Sequence, residues 1–308
     1  MKKSKLSIII ILINFITIIS YFEYSYCIAY THVKHLFDIR HEFNNPSDVS
    51  VSSVGNIYIV DGVNSQVKIF NNSGKYIGFF GGPGSEKGQF EMPLGIDIDD
   101  NGAVYIADSG NHRIQTFKSD GSFLYSINIP ASSESPSDPT DIAVVKNNIF
   151  VVDNDNNKVF VYDKKTRKLL NQFGTTGAQE LQFNHPFLIA DDGISSLFIS
   201  DVINTRIQAI STTGKFLNLV GQWGVEKGQL YRPKGVAIDA EKRIFVSDSY
   251  MGVIQIFDKS GNFLSVIADK SENATKKFKT PTGIFVDKTG RLLVVEMLMN
   301  KVSVYKIM

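Results

Sequence analysis

Six acidic residues recur at the ends of β-branched runs: Asp61, Asp108, Asp153, Asp201, Asp248 and Glu296. Asn64, Asn111, Asn156 and Asn204 follow the first four at a spacing of three. Oxygens at that spacing can ligate a metal, or they can hydrogen-bond the backbone of a tight turn, where Asn also tolerates positive φ. Recurrence favours the turn, because a catalytic centre depends on asymmetry and these side chains repeat. Arg113 and Arg206, in the same motif, are expected to pair with acids or carbonyls between repeats. Two other acids break a pattern instead of making one. Asp48 and Asp141 stand where equivalent passages hold Gly95, Gly235 and Gly283. Together they are the candidates for a Ca²⁺ site, an ion that takes six to eight oxygens. The alternative is that they are solvated or cap turns.

Histidine restricts the enzymatic options. The chain has five, His32, His35, His41, His112 and His185. A catalytic zinc centre takes about three protein ligands, and only His185, beside Pro186, stands near the start of a repeated strand. No nucleophile elbow, phosphate loop or zinc motif occurs elsewhere. No catalytic residue is therefore assigned, and the expected function leans away from an enzyme.

The asymmetry that remains lies in two late copies of the acid motif. One reads Asp248-Ser249-Tyr250-Met251-Gly252-Val253 and the other Glu296-Met297-Leu298-Met299-Asn300-Lys301. Chain order puts these turns on the same face as the loops carrying Trp223 and Tyr231. Tyr250, Met251, Met297, Leu298, Met299, Tyr231 and Trp223 then form an apolar patch for a partner, or pack beneath neighbouring loops.

The elements that must position these residues follow from a repeat. A proline recurs at 46, 93, 139, 186, 233 and 281, at intervals of 46 to 48 residues. Each opens a passage such as Pro93-Leu94-Gly95-Ile96-Asp97-Ile98-Asp99. A turn, a β-branched run ending in the acid, a polar turn and an alternating third strand (Arg113-Ile114-Gln115-Thr116-Phe117) come next. A Gly turn such as Asp120-Gly121 then leads to a fourth strand. Four short strands per copy, in six copies, predict an all-β fold, a six-bladed β-propeller with four-stranded blades. Blades are expected to start near 43, 90, 136, 183, 230 and 278. The sixth copy ends at Met308 without a fourth strand, and Val33–Ile39 upstream belongs to no copy. The prediction is that this N-terminal strand pairs into the last blade, closes the ring and covers its open edge.

The passage Phe80-Gly81-Gly82 … Gly88-Gln89-Phe90-Glu91-Met92-Pro93-Leu94-Gly95-Ile96, continued by Ala107-Asp108-Ser109-Gly110-Asn111-His112-Arg113-Ile114-Gln115, resembles an NHL repeat. A near copy stands at Gly221-Gln222-Trp223-Gly224 … Gly228-Gln229-Leu230-Tyr231-Arg232-Pro233. The resemblance covers about residues 40–308 and implies the propeller. It implies less about function, since the family includes interaction modules, RNA binders and a few lyases. Its amidating lyases hold zinc on several histidines, which this chain does not offer. Gluconolactonase-like propellers hold a central divalent ion on carboxylate and amide oxygens, the precedent for Asp48 and Asp141.

The first 29 residues read as a separate segment. Lys2-Lys3-Ser4-Lys5 precedes a nearly continuous apolar run from Leu6 to Phe22, the pattern of a signal peptide or an uncleaved membrane anchor. Lysines before the run direct the rest of the chain outward. Cys27, the only cysteine, is read as an incidental thiol of this leader. Residues 30–308 form the propeller domain. Of 32 Lys+Arg and 31 Asp+Glu, three (Lys2, Lys3, Lys5) and one (Glu23) precede residue 30, leaving 29 and 30 and a formal charge of −1. That balance carries no footprint for nucleic acid. The sequons at Asn71 and Asn273 are compatible with an extracytoplasmic location. The expectation is a secreted or membrane-anchored monomer. It binds protein, peptide or glycan on one ring face and touches membrane only through residues 6–22. The alternative is a metal-assisted lyase or lactonase-like enzyme at the channel mouth.

Overall fold

The computed structural model describes residues 29–133, 135–270 and 274–308. The leader, with Leu6–Phe22 and Cys27, and Asn273 of the second sequon lie outside them. Copies one to five each form four antiparallel strands, and copy six forms three. The six first strands, Pro46–Val51, Pro93–Ile98, Pro139–Val145, Pro186–Asp191, Pro233–Ile238 and Pro281–Val286, all begin on the recurring proline. Proline suits that place because the first residue of a strand can lack an N–H without breaking the ladder. Each proline is in register with the acid of its own motif, from Pro46 opposite Asp61 to Pro281 opposite Glu296. A register irregularity follows each proline in the same six pairings.

Each first strand packs against the first strand of the next blade around the whole ring, so these are the inner strands. The second strands, such as Ile57–Asp61, Val104–Asp108 and Ile244–Asp248, are buried along their whole length. Both faces of such a strand meet a neighbouring blade, which explains runs without polar alternation. Outer strands alternate instead: Tyr76–Gly81, Phe123–Asn128 and Phe216–Val220 expose every second side chain. The core is accordingly split into six apolar clusters, one per blade interface. The cluster of Val49, Ile57 and Ile59 with Leu293, Val295 and Val302 joins the first blade to the sixth. No blade has a core of its own, so stability requires the closed ring.

Closure occurs as expected, with an addition. The N-terminal strand Tyr30–Ile39 runs antiparallel to Lys301–Ile307, from Val33 opposite Ile307 to Ile39 opposite Val302. It thereby supplies the fourth strand of blade six. Its first four residues also pair in parallel with the outer strand of blade five, Tyr30 opposite Val266 through Val33 opposite Asp269. Blades five and six therefore share one eight-stranded sheet, while the other four blades are separate four-stranded sheets. Asp38 fastens the strap: Ser303 Oγ donates to it at 2.8 Å and Lys301 Nζ at 3.1 Å. Although partial burial works against it, bonds from His35, Ser303 and Lys301 hold the Asp38 carboxyl well below the usual range.

Candidate functional site

The repeated acids are scaffold. Asp108 Oδ1 accepts the Glu91 N–H at 2.8 Å, and its Oδ2 accepts from Arg113 Nε at 2.7 Å and Gln115 Nε2 at 3.0 Å. Arg113 goes on to Ser85 O, Glu86 O and Gln89 O in the incoming inter-blade loop. Asp201 repeats the arrangement with Asn184 N, Asn204, Arg206 and Gln208. Each buried carboxylate thus ties a loop, a turn and a third strand together. The pairing expected of Arg113 and Arg206 is present, to an acid of the same blade and to loop carbonyls.

Copy five departs from this. Met251 and Val253 stand where Asn111 and Arg113 stand in copy two, so Asp248 has neither amide nor guanidinium. Backbone N–H groups replace them. One carboxylate oxygen accepts from Tyr231 at 2.6 Å and Arg232 at 3.1 Å, the other from Tyr250 at 3.1 Å and Met251 at 2.9 Å. A single buried anion therefore holds the backbones of Tyr231 and Tyr250, and their rings lie 4.3 Å apart at 30°. Both rings are exposed, Tyr250 by 66%. Leu298 (65%) and Met299 are exposed in the next blade, and Trp223 (71%) on the loop leading into blade five. Met251 and Met297 are half-buried, so for these two the packing alternative describes their position better. The loop face of blades five and six thus presents five of the seven residues expected there.

The same sector is basic. Arg232 and Lys279 are exposed, and Lys277 Nζ caps Met251 O at 3.0 Å. Lys234 Nζ lies 3.8 Å from the centre of the Phe187 ring on the neighbouring inner strand. Burial, and then the nearby charge of Arg232, push the Lys234 amine below its ordinary value.

The opposite mouth of the channel is a cavity of about 780 Å³. It is lined by the turns between first and second strands and is rich in carboxyls. Asp48 and Asp141 lie on its inner wall, 6% and 3% exposed. The expectation that they are solvated or cap turns is corrected here. Asp48 Oδ2 accepts the Ile96 N–H of the next blade at 3.2 Å, and Asp141 Oδ2 accepts the Ile189 N–H at 2.8 Å. They are inter-blade ties. Asp97, which sequence reading passed over, does the same for Val144 N at 2.7 Å. Its signal was available, since the equivalent positions hold Ser50, Ala143, Ala190, Ala237 and Phe285. Burial raises the carboxyls of Asp48 and Asp97 to about 7, the latter aided by Asp191. Asp141 is raised well above the usual range by burial and by Asp48. At the cavity rim, Asp99, Asp192, Asp239 and Asp287 cap their own turns through backbone N–H groups.

Among the described residues no three His, Cys, Asp or Glu side chains converge as metal ligands. The Ca²⁺ expectation for Asp48 and Asp141 thus finds no third carboxylate or imidazole in ligating geometry. The histidines are dispersed. His185 Nδ1 meets Asn154 Oδ1 at 2.9 Å, His112 contacts Ser137 O, His35 pairs with Asp38 and His41 stacks on Tyr76.

The NHL repeat family model matches residues 43–70 and 90–117, the first two blades. The fold is a β-propeller whose first two blades match the NHL repeat. Solved structures agree on the fold. Virginiamycin B lyase from Staphylococcus aureus is 15% identical, with a TM-score of 0.61 over 90% of this chain and 100% of that one. A structural-genomics protein from Bacteroides thetaiotaomicron is 15% identical, with a TM-score of 0.65 over 91% and 73%. The WD40 propeller domain of Doa1 is 12% identical, with a TM-score of 0.61 over 90% and 98%. Likeness at such identities extends to fold alone. No curated protein matches the chain in sequence.

Proposed function

We propose that this NHL-repeat propeller is an exported, non-enzymatic binding module. It is delivered by residues 1–29 and takes a protein, peptide or glycan on the loop face of blades five and six. The observation that carries the reading is the exposed Tyr231–Tyr250 pair, held by Asp248 where the repeat has given up its Asn and Arg. Elsewhere the motif spends its side chains on scaffold. Here it spends them on presenting aromatic surface, with Leu298, Met299 and Trp223 nearby. Large exposed aromatics on a rigid frame lose little entropy on binding and dominate interface energetics. The test is capture of surface-extract partners on the full chain and on a Tyr250→Ser/Met299→Ser variant of equal stability. The variant is expected to lose the partner. Equal retention of every captured species would place the site elsewhere. Mass spectrometry of the mature N-terminus tests export, with loss of the leader, or membrane extraction of an intact chain, as the expected result.

A further inference from the structure

We infer that the ligand of this face is an acidic peptide segment, whose carboxylates are taken by Arg232, Lys234, Lys277 and Lys279. The inference rests on the loop-face reading above and adds the chemistry of the partner. Charge comes first. These four cations lie in the loops and inner-strand starts of blades five and six, the blades of the Tyr231–Tyr250 pair and the Leu298 turn, and among the described residues none has a carboxylate partner within salt-bridge distance. The acids of the two altered turns are committed, Asp248 to four backbone N–H groups and Glu296 to Lys279 N, Ser303 and Lys301, which leaves Glu226 of the Trp223 loop as an exposed acid of the sector. On this face of blades two and three the exposed side chains include the acids Glu91 and Asp155. The chain as a whole is nearly neutral at +1, so the basic sector is a matter of placement.

The channel entrance supplies a second, independent observation. Ser47 Oγ donates to Leu94 O at 2.6 Å, and Thr140 Oγ1 to Phe187 O at 2.7 Å, each reaching the next blade at the second residue of the inner strand. Thr282 is the same position of blade six and 5% exposed, yet its Oγ1 has no hydrogen-bond partner. Lys234 occupies this position in blade five, where its ammonium lies over the Phe187 ring with no carboxylate beside it. A carboxylate, acceptor-only, is the group that suits a cation at this entrance. The neighbouring aromatic pair then receives an apolar side chain of the same segment. A peptide is favoured over a nucleic acid because the basic region is a compact patch, not a track that follows a phosphate backbone.

The experiment titrates the full chain with three synthetic peptides of alternating sequence, Glu/Phe, Gln/Phe and Lys/Phe, and with an oligouridylate. Calorimetry is run on wild type, Arg232→Gln/Lys234→Met and Tyr250→Ser. The Glu/Phe peptide is expected to bind best, and at least tenfold more weakly to the Arg232→Gln/Lys234→Met variant and at high salt. Its preference over Gln/Phe should vanish in that variant. Equal binding of the Glu and Lys peptides, unchanged affinity in the charge variant, preference for the oligouridylate, or no binding at all would each overturn the inference. Failure of the face itself reads differently: Tyr250→Ser would then bind every peptide as wild type does.

Discussion

Asp141 places its Oδ1 directly against Gly95 of the preceding blade, where a Cβ would stand 2.3 Å from that oxygen and 2.5 Å from Thr140 O. Asp48 and Gly283 repeat the relationship across the first and sixth blades, at 2.2 Å. Each of these two acids sits against a glycine because it needs the absence of a side chain beside it. Gly95→Ala is therefore expected to destabilise the ring by about 1–3 kcal/mol, the usual cost of overpacking. Denaturant unfolding measures it, and an alanine tolerated within a few tenths of a kcal/mol would contradict the contact.

The same carboxyls set a pH dependence. Asp48 and Asp97 are raised to about 7 by burial, and Asp141 is raised as well, against about 3.9 in an unfolded chain. Between those values the folded state holds protons that the unfolded state releases, so stability falls as pH rises. Their contribution is fully present below about pH 4 and is lost as pH climbs to about 7. The lowered carboxyl of Asp38 works in the opposite sense and only at strongly acidic pH. Thermal unfolding should thus occur several degrees higher at pH 5 than at pH 8. Asp48→Asn/Asp97→Asn, which mimics the protonated pair, should flatten the slope.

Ring closure predicts a third outcome. Ile39 is 2% exposed among the residues that join blades six and one. Ile39→Ala should cost about 2–5 kcal/mol, as buried Ile truncations do. It should also lower hydrogen-exchange protection in Lys301–Ile307, its antiparallel partner. An effect confined to residue 39 would mean that the strap is not part of the cooperative ring.

Closure was legible in the sequence because counting strands left the last copy one short and the first segment without a copy. The parallel addition of Tyr30–Val33 to blade five was not. It depends on an outer strand, Phe263–Asp269, that runs seven residues where its counterparts run five or six, and parallel pairing leaves no turn signal in the chain. The site divides similarly. Tyr250, Leu298 and Met299 stood out because their turns break a repeat, and Trp223 and Tyr231 because their loops lie on the same face as those turns. The half-burial of Met251 and Met297 was hidden, since exposure depends on loops folded over them. Asp48 and Asp141 also broke the repeat, but their role is set by the glycine on the neighbouring blade, a relation invisible along one copy.

Asp248 offers the most direct check on how the aromatic pair is built. In copies two and four the acid shares its charge with an arginine, whereas Asp248 is neutralised by backbone dipoles alone. Asn at 248 retains one acceptor and turns an NH₂ toward N–H donors, so either the Tyr231–Arg232 or the Tyr250–Met251 amides lose their partner. Hydrogen bonds to a charged group are worth about 1.5–3 kcal/mol, and Asp248→Asn should destabilise by that order. The readout specific to positioning is the tyrosine band of the near-ultraviolet circular dichroism, expected to weaken as the rings leave their 4.3 Å stack. Tyr250→Phe, which keeps ring and backbone, should preserve stability. If Asp248→Asn lowered stability but left the tyrosine signal intact, the carboxylate would be a scaffold group like Asp108 and Asp201, and the pair would owe its geometry to the loops.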